Sequence, residues 1–139
     1  MNALQFEILA DAYEISAGDQ VLARLPRGPL ALLAGAGERL RDLDIEIAIE
    51  HAEDWLMPSS KSFQGFALVV KDTQGRLRDR LGAGSRLTPD DVEIAFTRAF
   101  DDVAFARPID RLLVADLVLL RELVHHGAAP HLEVVHAKG

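Results

Sequence analysis

Arg76, Arg78 and Arg80 recur at every second position. On a strand, side chains alternate between faces, so this spacing sets three guanidiniums on one side. A guanidinium is always charged, and its planar fork matches the oxygens of a phosphate or carboxylate. With Arg86 following, the row is a candidate grip for an anionic ligand or an acidic partner. A solvated strand face, balanced by the chain's own acids, carries the same pattern.

Two glycine-rich segments offer a second anion site. Gly35-Ala36-Gly37-Glu38-Arg39 and Gly82-Ala83-Gly84-Ser85-Arg86 each precede a predicted helix. Glycine lets backbone N–H groups approach an anion, a helix start favours negative charge, and the arginine can close the clamp. Neither segment has the spacing of G-x-G-x-x-G or of the phosphate loop G-x-x-x-x-G-K-[ST]. A tight crossover onto a helix, with Arg39 and Arg86 paired to nearby acids, asks for the same residues.

Asp116 falls within the apolar arc of a late helix, among Ile109, Leu112, Leu120 and Leu123. A buried carboxylate must be paired, hydrogen-bonded or protonated. It is therefore either an internal ion-pair partner, of Arg111 or of an arginine from the sheet, or a catalytic acid or base. Glu46, Glu50, His51, Glu53 and Asp54 share a helix in a pattern open to a divalent cation, but a solvated helix face reads the same way. Glu122 and His125 have the Glu-x-x-His spacing of di-iron helices, but such sites need two of these motifs on a four-helix bundle. His125 and His126 near a helix C-terminus suit the helix dipole without any metal. No metal and no cofactor is expected. No Ser-His-Asp signature, nucleophile elbow or H-E-x-x-H is present.

The elements that carry these residues are organised by self-similarity. Gly35 to Asp54 aligns without a gap on Gly82 to Asp101, offset by 47 residues, with 11 of 20 positions identical. Roughly one or two matches would arise between unrelated segments of this size. Each copy reads as strand, glycine turn, strand, Gly-Ala-Gly loop and helix. The turns are Pro26-Arg27-Gly28-Pro29 and Asp72-Thr73-Gln74-Gly75. Leu30 to Leu40 could form a helix by itself; its counterpart, read as strand and loop, argues against that.

Thr88-Pro89-Asp90-Asp91 opens the second helix with a cap, proline at the first position and early acids. Val92, Ala95, Phe96, Ala99, Phe100, Val103 and Ala106 make its apolar stripe, as Ile45, Ala48, Ile49, Ala52, Trp55 and Leu56 do in the first copy. Residues 43–50 also alternate like a strand, and helix is preferred because the second copy is helical. Leu4 to Ala12 alternates as an N-terminal strand. Pro108 starts a third helix that is apolar most of the way round and so should be central; Gly127 ends it, and His131 to His136 is a last strand. The expected fold is α+β in one domain, residues 1–139. Two pseudo-symmetric ββα units (about 20–58 and 66–106) share a mainly antiparallel sheet, joined by the N-terminal strand and the C-terminal helix and strand.

Composition narrows the function. The net charge of -7 argues against nucleic-acid binding by phosphate neutralisation. There is no cysteine, so disulfide and thiolate chemistry are absent. The first residues lack the basic start of a signal peptide, and the longest apolar run, Leu112 to Leu120, is broken by Asp116. The reading is cytoplasmic, with no membrane contact. With no catalytic signature, the sequence favours a non-catalytic module that assembles with itself, a dimer above all, through Ile94 and Phe105 outside the main stripe. The alternative is a protein or enzyme that takes a small anionic metabolite, a phosphate or a carboxylate. The sequence leaves open whether the protein is an enzyme.

Overall fold

In a computed structural model of the chain, residues 3–82 and 86–136 are described. Strands β1 (Leu4–Ile8), β2 (Ala12–Ala17) and β3 (Gln20–Pro26) form an antiparallel meander. The short helix α1 (Pro29–Leu32), α2 (Asp42–Leu56) and a 3-10 segment (Met57–Phe63) return the chain to β4 (Leu68–Asp72), which pairs parallel to β1. Then α3 (Arg76–Leu81), β5 (Arg86–Leu87), α4 (Pro89–Ala104) and α5 (Arg111–Gly127) lead to β6 (Leu132–His136), parallel to β4. The strand order is β3-β2-β1-β4-β6-β5.

The sheet is therefore mixed. Three antiparallel pairings flank a parallel centre of β1, β4 and β6, which corrects the expectation of a mainly antiparallel sheet. Parallel neighbours need a crossover connection, and the helices supply it. The period-2 pattern puts Leu4, Phe6, Ile8, Tyr13, Ile15, Leu68, Val70, Leu132 and Val134 on one buried face. Gln5, Glu7, Glu14, Lys71 and Glu133 occupy the other.

Helix α5 is central, as its all-round apolar surface requires: Leu113 to Leu120 is buried without a break. It starts three residues later than Pro108 suggests, because the Asp110 carboxylate accepts from the Leu112 N–H and caps the first turn. Helices α2 and α4 lie beside it, and their buried apolar residues all belong to the expected stripes; Ile49, Trp55 and Phe100 are half-buried, and α4 ends at Ala104, which leaves Ala106 exposed beyond it. Thr88 and Asp91 close a capping box: the Asp91 N–H donates to Thr88 Oγ1 (3.3 Å) and the Thr88 N–H to Asp91 Oδ2 (2.8 Å).

Two expectations fail. The second strand expected in each ββα unit is instead a helix, α1 and α3; a loop joins α1 to α2, whereas β5 stands between α3 and α4. Pro29-Leu30-Ala31-Leu32 and Arg76 to Leu81 contain no β-branched or aromatic residue, and Leu, Ala and Arg are good helix formers. The N-terminal segment is a hairpin of two strands, with the turn at 9–11. Its tightness hid it: the Leu9 N–H donates directly to the Ala12 carbonyl.

Gly28, between β3 and α1, shows what joins the meander to the helices. Its φ of 52° and ψ of -117° suit glycine alone, and a Cβ there would lie 3.2 Å from the backbone of Ala12. Gly37 has open space around its Cβ position. Gly28→Ala should therefore lose about 2–4 kcal/mol in urea denaturation, while Gly37→Ala should stay within about 0.5 kcal/mol of the parent.

Candidate functional site

Asp116 is fully buried at mid-height of α5 and is held by two neighbours. The Tyr13 hydroxyl donates to its Oδ1 at 2.6 Å. Arg76 donates twice, from Nε to Oδ2 at 2.7 Å and from Nη2 to Oδ1 at 3.2 Å. The cation comes from the first residue of α3 and not from Arg111, whose guanidinium donates to the Glu38 carbonyl. Read from sequence, Tyr13 has no role beside Asp116; as a lone aromatic its only signal is its alternation with Ile15 along β2.

The turn that delivers Arg76 is built by a second buried acid. Asp72, the last residue of β4, accepts from the Gly75 N–H (2.9 Å) and the Arg78 N–H (3.0 Å). Gly75 takes a left-handed conformation, φ 79°, and α3 begins at once. The Thr73 hydroxyl donates to the carbonyl of Ile8 (2.5 Å), tying this turn to the end of β1. These loops lie at the carboxyl ends of β1 and β4, where chain direction across the sheet reverses. In open α/β sheets this is the place where ligands bind.

Burial pushes the Asp116 carboxyl up to about 6. The hydrogen bonds and charge of Arg76 and the hydrogen bond of Tyr13 pull against that rise, and Asp72 adds to it. For Arg76, burial opposes the charge, but the bonds and charge of Asp116 outweigh it and hold its pKa above the usual value. Burial, with Asp116 alongside, drives the Tyr13 hydroxyl well above its usual range, so it stays a donor.

The arginine row is redistributed by the helix. At 100° per residue, alternate positions no longer share a face. Arg76 turns in to Asp116, and Arg80 lies 4.0 Å from Asp102. Arg78 folds back over Gly75, its Nη2 3.5 Å from where a Cβ would sit, and among the described residues no carboxylate is within ion-pair distance of it.

Among the described residues of the glycine loops, none bonds to Asp116, Arg76 or Asp72. Arg39 lines a shallow groove with Leu40, Val103 and Arg107. Gly35 (φ 91°) and Gly37 sit in the loop between α1 and α2. Arg86 stands opposite Glu133 at the start of β6, so it lies at the other end of the parallel strands from Arg76. Gly82 follows α3 directly. Gly84 lies outside the described residues.

The fold has known counterparts among solved structures. A Ppx/GppA family member from Aquifex aeolicus superposes with a TM-score of 0.69 at 14% identity, covering 97% of this chain and 52% of its own. The type II variant of the Aquifex aeolicus Ppx/GppA phosphatase gives 0.69 at 13%, covering 97% and 53%. An exopolyphosphatase from Cytophaga hutchinsonii gives 0.62 at 12%, with 97% and 53% covered. The fold is similar to the Ppx/GppA fold. At these identities the likeness is one of fold, and the chain spans about half the length of the proteins it matches. No protein-family model and no curated protein sequence matches it. Among the described residues no helix is long and apolar enough to cross a membrane.

The Asp116 pair sets a pH dependence. The folded protein holds the Asp116 proton more tightly than the unfolded chain, where a carboxyl titrates near 4. Its contribution to stability is therefore fully present below about pH 4 and is lost as the pH rises through about 6. Arg76→Leu leaves a buried carboxylate without its cation and should cost about 3–5 kcal/mol at pH 7. At pH 5, where Asp116 is protonated, the cost should shrink, and the double variant Arg76→Leu/Asp116→Leu should regain much of it. Urea denaturation of the three proteins at both pH values checks this.

Proposed function

We propose that this chain binds an anionic, phosphate-bearing metabolite as part of an enzyme acting on it. The ligand would sit at the carboxyl ends of β1 and β4. The observation that carries the proposal is Arg78, a guanidinium held over the Gly75 turn with no carboxylate partner among the described residues, at the reversal point of an α/β sheet. Asp116 positions the turn through Arg76 and is not the group that meets the ligand. The fold supports the same reading, since its counterparts include a phosphatase and an exopolyphosphatase.

A second reading, self-association, rests on one observation. Ile94 and Phe105 are 51% and 68% exposed on and just beyond α4. A two-fold dimer through this region would show as a doubled mass in light scattering. The internal duplication is likewise a proposal. The elements at 20–32 and 42–56 recur near 68–81 and 89–104, although β3 is an antiparallel edge strand and β4 a parallel interior one.

Calorimetric titration with inorganic phosphate, pyrophosphate and tripolyphosphate tests the main proposal. Binding is expected, with at least about a tenfold loss in Arg78→Ala and little change in Arg39→Ala. Absence of binding to all three, or equal binding by Arg78→Ala, would sink it.

A further inference from the structure

At the far end of α5, about two turns beyond Asp116, lies a groove of about 520 Å³ between α2, α4 and α5. Three groups with metal-ligand chemistry meet on its wall: Glu53 from α2, and Glu122 and His126 from successive turns of α5. His126 Nε2 is 3.5 Å from Glu53 Oε2 and 3.5 Å from Glu122 Oε1. The three ligand atoms all lie within 4.8 Å of one another.

We propose that Glu53, Glu122 and His126 form a binding site for a divalent transition-metal ion of the zinc class. The spacing is the first argument. At 3.5 Å the imidazole is beyond the usual hydrogen-bond distance from either carboxylate. It is close to the ligand–ligand edge of a tetrahedron with ~2.1 Å metal bonds, which is about 3.4 Å.

Preorganisation is the second argument. Glu122 is only 5% exposed. Arg121 donates to its Oε2 at 3.0 Å and is itself anchored by Glu93 at 2.8 Å, so the buried carboxylate is aimed and its Oε1 is left toward His126. Fixing a ligand from behind in this way raises metal affinity. Charge is the third argument. Glu53, Glu93 and Glu122 face one arginine along the groove wall, a surplus of negative charge that a dication would neutralise.

One imidazole and two carboxylates suit zinc and its neighbours better than calcium or magnesium, which take oxygen ligands alone. Three protein ligands leave the fourth position open to the groove, as in zinc sites that exchange a water or substrate group. The site lies away from the Arg78 turn and does not depend on the anion reading.

Chelator-treated protein titrated with Zn²⁺, by calorimetry and by metal analysis after dialysis, tests the proposal. One zinc per chain is expected, with a rise in melting temperature. His126→Ala and Glu53→Gln change partly exposed side chains and should fold. Each should weaken zinc binding at least about tenfold, whereas His125→Ala, which alters the same groove, should bind within about threefold of the parent. A parent protein that takes up no zinc, or a His126→Ala variant that binds as well as the parent, would overturn it.

Discussion

A carboxylate buried mid-way along an apolar helix must be given donors or a proton, and Asp116 recruits its donors from two distant parts of the chain. Tyr13 stands on β2 and Arg76 opens α3, so the one carboxylate fastens the antiparallel meander and the β4–α3 turn to the central helix. Each bond is charge-assisted and shielded from water, where such interactions are stronger than at the surface. The burial that strengthens them also lifts the Asp116 pKa to about 6, so the tie is sensitive to pH near neutrality.

The same tie explains why the guanidiniums do different work. A buried acid of its own occupies Arg76, and a second, Asp72, shapes the turn by accepting two backbone N–H groups. Arg78, half-buried, lies over that turn. Of the three arginines of this segment, Arg76 is thus committed to a buried acid, Arg80 lies near Asp102, and Arg78 has no carboxylate within ion-pair distance among the described residues.

Helix α5 links the two ends of the molecule. Its middle holds Asp116 under the strand ends, and its last two turns hold Glu122 and His126 beside α2. Because α5 is apolar all round, it can only be buried, and every polar group on its inner turns needs a partner from a neighbouring element.

The residue pattern alone determined the long helices and most of their buried stripes, the central place of α5, the first and last strands β1 and β6, and the burial of Asp116 with its need for a partner or a proton. Those features follow from periodicity and from the cost of burying charge, which are local in the sequence. The tertiary structure decided the rest. Arg76 to Leu81 alternates like a strand, yet its helix-forming residues, entered from the Asp72–Gly75 turn, fold as a helix, which scatters a row of arginines that would have shared one face. The parallel pairing of β1, β4 and β6 depends on crossovers whose direction no single segment encodes. Tyr13 lies 103 residues from Asp116, and Glu53 is a whole crossover away from Glu122 and His126. Partners that far apart meet only when the chain has packed, because a side chain's own neighbours carry no record of what will be folded against it.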